Sequence, residues 1–437
     1  MDWNKLLVNQ RHGHAVVTAG EFGRSRFHKD HDRIIFSSAF RRLGRKTQVH
    51  PLALNDHIHT RLTHSVEVGS VGRSLGIQVG ELLDQALPKG VSSYDLGMIV
   101  QSACLAHDIG NPPFGHAGEY AIRDWFMRQE DSPLFEGLSD AEKLDLQTFE
   151  GNAQGFRMVT TIENHLYDGG LRLTYPTLGA LLKYPWTVEH ATKGGKFSVF
   201  QSEKTILNHL GEELGLVARD TGQWCRHPLA YLVEAADDIC YAILDLEDAI
   251  ELNILTFEDV KPILLEMCGD DEFEAAIFVT EASARRKISA MRGKAMEKMV
   301  DAAVDAFFAN YDAIMQGQYR GELLLDGENH VARGVQLAKL VARERVFPHN
   351  RKAELEVGAC TMLSVLLEAF CQAVHENHCK GRDKVSYRSD KILTLMGIHC
   401  PSPDQSLYLG YRRALDFISG MTDNYAAYLT RQISGVV

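Results

Sequence analysis

The sequence predicts an all-α protein, on three observations. Apolar residues recur at helical spacing over long stretches, strand signals are short and weak, and no internal repeat, low-complexity tract or obvious linker interrupts the chain. The pattern places helices near 30–43, 63–84, 94–109, 116–129, 228–252, 274–316, 331–346, 353–377 and 408–431. "VSSYDLG", from residue 91, supplies N-capping serines for the helix carrying Leu96, Ile99, Val100 and Ala103. Gly110-Asn111-Pro112-Pro113 stops that helix, because proline cannot continue it. The best strand candidate is "KFSVF" at 196–200, in a small hairpin or an irregular insert. Residues 130–226 are richer in Gly, Pro and loop residues and read as an excursion from a helical core.

A chain of 437 residues is long enough for one large or two ordinary domains with a substantial core. We divide it into a core over 1–260, carrying the loop-rich insert at about 130–226, and a C-terminal helical region over 261–437 packed on that core. Hydrophobic content of 45% and charged content of 24% are ordinary for a globular protein. No apolar run approaches the roughly 20 residues that span a bilayer, and the start "MDWNKLLVNQRHGHA" lacks a signal-peptide pattern. We therefore expect a cytoplasmic protein without a membrane partner. The eight cysteines are scattered, none in a CxxC pair, and read as buried free thiols. A net charge of −12 argues against a surface that coats nucleic acid, while leaving room for a local basic pocket.

Candidate functional residues emerge from asking which helical face each ionisable group occupies. His107 lies four, seven and eleven residues after Ala103, Val100 and Leu96, and Asp108 lies four and eight after Cys104 and Val100. Both project from the apolar side, where an isolated carboxylate carries a large desolvation cost. His64 precedes Val68, Val71 and Leu75 at the same spacings. In "LAYLVEAADDICYAILDLEDA" Asp237 shares a face with Ala230 and Val233, whereas Asp238 shares one with Glu234 that reads as solvated. Tyr241 and Asp245 continue the Asp237 stripe. A single histidine on an apolar face is more often a hydrogen-bonded core residue, and an aspartate pair is usually a solvated face. Two imidazoles and two carboxylates aimed inward from three helices are better explained together, as ligands of one borderline or hard divalent ion.

These residues resemble the H…HD…D signature of the HD-domain phosphohydrolases. Within that superfamily, "RIIFSSAFRRLGRKTQV", "TRLTHSVEV", "AHDIGNPPFGHAGE", "LKYPW", "EAADDICYAILDLEDA" and "ISGMTDNYA" resemble the bacterial deoxyguanosine triphosphate triphosphohydrolases over essentially the whole chain. The resemblance implies an HD-domain helical bundle with additional C-terminal helices. It also implies a reaction in which a dNTP, dGTP first, is cut between its α-phosphorus and the 5′ oxygen to release inorganic triphosphate.

The resemblance implies a role for each residue. His64, His107, Asp108 and Asp237 would hold one divalent ion, Mn²⁺ or Mg²⁺ by first choice, although the donor set also suits Fe, Co, Ni or Zn. His116 and Glu119, three apart after the Pro-Pro-Phe-Gly turn, suit delivery of a proton to the leaving alkoxide. Tyr241, Asp245 and Gln48 fall beside the sugar, and Arg61 near the base and α-phosphate. Lys183, with Lys196 behind it, is the main candidate for the triphosphate tail, and Arg24 and Arg26 are weaker ones. The family commonly carries a basic residue before "TRLTHS", where this chain has His59. The family also implies a homo-oligomer, commonly a hexamer, with room for a nucleotide effector or single-stranded DNA. Two rival readings are another HD-type nucleotide phosphodiesterase or pyrophosphohydrolase, and a nucleotide sensor or single-strand nucleic-acid binder using the same pocket.

Overall fold

A computed structural model describes every residue except 14–22, 49–58, 164–168, 192–193, 270–272, 275, 278–282, 328, 349 and 437. Its first half runs α1 (Trp3–Leu6), α2 (Arg26–Ile35), α3 (Ser38–Arg42), α4 (Arg61–Leu83), α5 (Ser93–Ala106) and α6 (His116–Met127). Then follow α7 (Asp140–Gln147), α8 (Gly151–Arg157), α9 (Tyr175–Leu181), α10 (Lys204–Glu213) and α11 (Pro228–Glu251). The remainder comprises α12 (Phe257–Cys268), α13 (Ala284–Ala309), α14 (Tyr311–Met315), α15 (His330–Val341), α16 (Asn350–Lys380), α17 (Tyr387–Leu395), α18 (Leu407–Ser419) and α19 (Asp423–Ser434). Among the described residues the sheet content is one antiparallel pair, β1 (Ala218–Asp220) with β2 (Gln223–Trp224). The all-α expectation holds.

Local chemistry sets the helix ends. Thr60 and Ser92 each make a reciprocal capping box, with Thr63 and Asp95, at the starts of α4 and α5. α5 ends at Ala106, earlier than the sequence pattern suggests, and His107 and Asp108 stand in the turn that follows. Three expected helices are broken in two by caps that apolar periodicity passes over. Ser37 restarts the chain as α3, Asn310 separates α13 from α14, and Thr422 starts α19 after the Gly420 break. The 274–316 expectation also falls partly on 275 and 278–282, outside the described residues. The insert is more helical than expected, holding α7 to α10, and its hairpin is β1–β2. "KFSVF" is not a strand: Val199 makes one isolated bridge to Thr187, and Phe197 and Phe200 are buried as core aromatics instead.

Two hydrophobic cores form. The first unites α2, α4, α5, α9 and α11 with α12, α13 and α15; the second packs α6 and the aromatics Phe149, Phe197 and Phe200 against α16, α18 and α19. By length and composition, Ala353–Lys380 of α16 is long and apolar enough to cross a membrane, contrary to the sequence reading. Its Leu363, Leu366, Leu367, Phe370 and Val374 are buried in the second core, which accounts for the apolarity. The eight cysteines are free, but Cys360 and Cys379 are exposed and Cys400 half-buried, so the expectation of uniformly buried thiols is corrected.

The pairing of α4 with α5 positions the site. Gly72, Gly76 and Gly80 form a stripe on α4 along which α5 lies unusually close. A Cβ at Gly76 would stand 2.8 Å from the Gly97 Cα, and one at Gly80 would stand 2.6 Å from the Ser93 Cα. These are backbone atoms, which cannot rotate aside. Gly76→Ala should therefore destabilise the fold by about 1–3 kcal/mol despite alanine's better helix propensity. Chemical denaturation is the check, and an unchanged midpoint would show that the helices can part without cost.

Candidate active site

Three helices converge on one cleft. His64 is buried on the first turn of α4, His107 and Asp108 follow α5, and Asp237 sits midway along α11. His64 Nε2 is 3.0 Å from Asp237 Oδ1 and shares a hydrogen bond with it. His107 Nε2 is 3.6 Å from that oxygen and 3.6 Å from Asp108 Oδ1. One donor atom each from His64, His107 and Asp237 falls within 4.8 Å of the others. His107 Nδ1 lies 2.6 Å from the Cys104 carbonyl oxygen, which can only accept. The ring proton therefore sits on Nδ1, leaving the Nε2 lone pair facing the cluster, as a ligand requires.

The charge balance fits a cation at this point. Burial alone would push the Asp237 carboxyl up, yet His107 and His64 hold it well below the usual range. Asp108 is likewise held down at about 2 against its burial, chiefly by Arg61, whose Nη1 lies 2.7 Å from Asp108 Oδ2. His64 is raised by Asp237 and Asp108 despite the opposing effect of burial. His64, His107 and Asp237 together form a donor set that suits one divalent ion, with Asp108 Oδ1 3.6 Å from His107 Nε2 beside it.

The same cleft is also lined by His116 and Glu119. They lie on the first turn of α6, with His116 Nδ1 3.1 Å from Glu119 Oε2. The His116 side chain is 74% exposed to the cleft, whereas that of Glu119 is 3% exposed. Glu119 accepts from the Gly151 amide at 2.7 Å, which fixes the carboxylate that orients the ring. Against its burial, His116 lowers the Glu119 pKa. The turn before α6 needs glycine at 115: φ is +58°, and a Cβ there would collide with the Arg61 guanidinium. The cleft holds about 580 Å³ and is lined by both groups, a size that suits a small molecule.

Residues 61–182 match the HD domain family. Across the full chain, proteins named deoxyguanosinetriphosphate triphosphohydrolase-like are 50% identical in Pseudomonas aeruginosa, covering 100% of this chain and 99% of the relative, and 36% identical in Synechocystis, covering 100% of both. A Serratia proteamaculans protein named deoxyguanosinetriphosphate triphosphohydrolase is 32% identical, covering 92% of each. The chain belongs to the deoxyguanosinetriphosphate triphosphohydrolase family.

The other family-type positions distribute unevenly around the cleft. Gln48, Arg61, Tyr241, Lys183 and Lys196 all line it. Asp245 is buried beneath Tyr241, and burial, then its charge and hydrogen bond, raise the Tyr241 phenol. Lys183 Nζ is 3.4 Å from Glu234, and Lys196 Nζ is 3.0 Å from both oxygens of Glu150, so each lysine already faces a carboxylate. Arg24 and Arg26 do not line the cleft; Arg24 pairs with Asp32, and Arg26 donates to the Asn9 carbonyl. The face expected to be solvated is not. Glu234 is buried against Arg226 and Lys183, and Asp238 is 3.2 Å from Lys339. Burial raises the Asp238 carboxyl to about 6, with Lys339 opposing.

Periodicity missed Asn111, whose side chain donates to Asp108, and Arg123 and Glu150, which lie beside Glu119. Asn111 and Glu150 act through a turn and a cross-helix contact that leave no spacing signal, whereas Arg123 stands four after Glu119 on α6, an i,i+4 spacing that could have found it. His59 finds its partners in the same way. Its Nδ1 is 2.7 Å from Asp248 and its Nε2 is 3.5 Å from Glu67, so the place before "TRLTHS" still holds a cation.

Two outcomes follow. His64→Ala should weaken Mn²⁺ binding, measured by calorimetry without nucleotide, by more than the roughly 10–100-fold that loss of a mere supporting partner costs. Undiminished affinity would remove His64 from the ligand set. The hydrogen bonds to Asp248 and Glu67 raise the His59 pKa from 6.5 to about 10. A raised folded-state pKa means stability that is fully present below pH 6.5 and lost as pH climbs towards 10. The stability gap between wild type and His59→Gln should shrink across that window, and a constant gap would disprove the ion pair.

Proposed function

We propose that this protein hydrolyses deoxynucleoside triphosphates, dGTP first, to a deoxynucleoside and inorganic triphosphate. The observation that carries this reading is one cleft lined by both a cation-type donor set and an imidazole–carboxylate dyad. The names of the full-length relatives support dGTP as first substrate. His64, His107, Asp108 and Asp237 would hold the divalent ion, with Mn²⁺ or Mg²⁺ proposed. When bound, that ion supplies charge neutralisation at the α-phosphate and a more acidic attacking water.

The protein's own groups supply the rest. Arg61, anchored by Asp108, presents its planar cation to phosphate or a purine ring. His116 in its protonated form gives its free ring-nitrogen proton to the 5′ oxygen as the P–O bond breaks, and Glu119 stabilises the imidazolium. Tyr241, backed by Asp245, and Gln48 bound the sugar side. Lys183 and Lys196 face the phosphates once substrate oxygens compete with Glu234 and Glu150 for them. The family resemblance supports assembly as a homo-oligomer.

Incubation with dGTP and Mn²⁺ should yield deoxyguanosine and inorganic triphosphate in equal amounts. Release of dGMP and pyrophosphate instead would overturn the reading in favour of a pyrophosphohydrolase. His116→Ala should lower kcat by about 10²–10⁴-fold, the usual share of a positioned acid. Unchanged turnover would remove His116 from the chemistry.

A further inference from the structure

The sequence motif "ISGMTDNYA" takes no part in the site just described, yet it reaches the site through buried charge. Asp423, the first residue of α19, is 2% exposed. Its carboxylate accepts from the Phe114 amide at 3.0 Å, the Thr47 amide at 3.0 Å and the Thr47 hydroxyl at 2.8 Å. None of these donors belongs to its own helix. Lys46, also 2% exposed, donates from Nζ to the Asn111 and Ser419 carbonyls, each at 2.6 Å. The Asn111 side chain in turn donates to Asp108. Two buried ions thus tie three segments together: 46–48, the turn from Asp108 to His116, and the break between α18 and α19.

The tied turn is held in an unfavourable shape. Phe114 has φ +65°, in the left-handed region that costs a side-chain-bearing residue about 1–2 kcal/mol, and Gly115 follows at +58°. Such a conformation persists only where surrounding contacts over-determine it. The Phe114 amide is the group that Asp423 holds. Burial, with the charge of Arg42, pushes the Lys46 ammonium down to about 7 against the pull of Asp423.

We propose that Asp423, Lys46 and Thr47 are positioning residues, and that the turn between α18 and α19 fixes where Asp108, His116 and Gln48 stand relative to one another. What those three groups do rests on the function proposed above; the clamp itself rests on the hydrogen bonds of Asp423 and Lys46.

The test uses the full chain with Asp423→Asn, Lys46→Met and Thr47→Val, and with Tyr425→Ala on the exposed side of α19 as a control. Three quantities are read: kcat and KM for dGTP with Mn²⁺, the affinity for Mn²⁺ alone, and the thermal unfolding midpoint. Asp423→Asn and Lys46→Met should lower kcat about 10–100-fold, as removal of a supporting partner does, and weaken Mn²⁺ binding about tenfold. KM should stay within about threefold, because neither side chain binds substrate directly. Thr47→Val should move the same quantities less, and Tyr425→Ala should match wild type. If the midpoint falls while kcat per folded protein and Mn²⁺ affinity equal wild type, the residues are structural only and the proposal is overturned. Thr47→Val removes one hydroxyl and decides the matter if the charged-site variants do not fold. If wild type releases no triphosphate, the proposed function fails, and the clamp then stands or falls on Mn²⁺ affinity across the variants.

Discussion

Glycine at 72, 76 and 80 removes the side chains that would hold α4 away from α5, and the site depends on that close approach. Side chains of ordinary size along this seam would separate the helices by more than a ligand cluster tolerates. With the seam closed, His64 and His107 stand with ring centroids 5.4 Å apart, and α11 crosses both helices to bring Asp237 between them. The geometry of the donor set is therefore a property of helix packing, supported by a core in which Val68, Leu75, Leu96, Ile99 and Val100 are fully buried. Packing of this density resists small displacements, which a constellation of ligands needs.

Concentrating ionisable groups in one cleft creates an electrostatic cost that the structure meets by alternation. Asp108 faces Arg61; Glu119 faces His116 and Arg123; Glu150 faces Arg123 and Lys196; Glu234 faces Lys183 and Arg226. Each of these buried carboxylates finds a cation. The arrangement readies the cleft for a polyanion, because cations paired with carboxylates are already desolvated and held in place. On the function proposed above, a bound triphosphate would exchange partners with groups whose ordering cost is met in the fold. The His-His-Asp cluster is the same alternation at its tightest. Asp237 there pairs with both His64 and His107, and the three donor atoms lie close enough together for one divalent ion.

The resting places of the predicted residues show what apolar spacing can and cannot reveal. Inward projection of His64, His107 and Asp237 was legible, because residues four and seven positions away along each helix are core residues and a helix repeats its faces. The same logic misjudged Glu234 and Asp238. Spacing shows that two residues share a face, but not that Arg226, Lys183 and Lys339 wait opposite them. It also merged α18 with α19, since the apolar stripe runs on past Gly420 while Thr422 starts a new helix. That break lets Asp423 point at the Phe114 amide.

The sequence by itself determined the helical class, the inward-facing imidazoles and carboxylates, and the motif pairing of His116 with Glu119. Each is a local matter of period or of neighbours within a turn or two. The tertiary structure decided which residues meet across tens to hundreds of positions. It set Lys196 on Glu150, His59 on Asp248, and Lys46 on both Asn111 and Ser419. Such partnerships depend on helix crossing and on the burial of charge. Burial makes an unpaired ion so costly that its partner is chosen by proximity in space, which no spacing along the chain records.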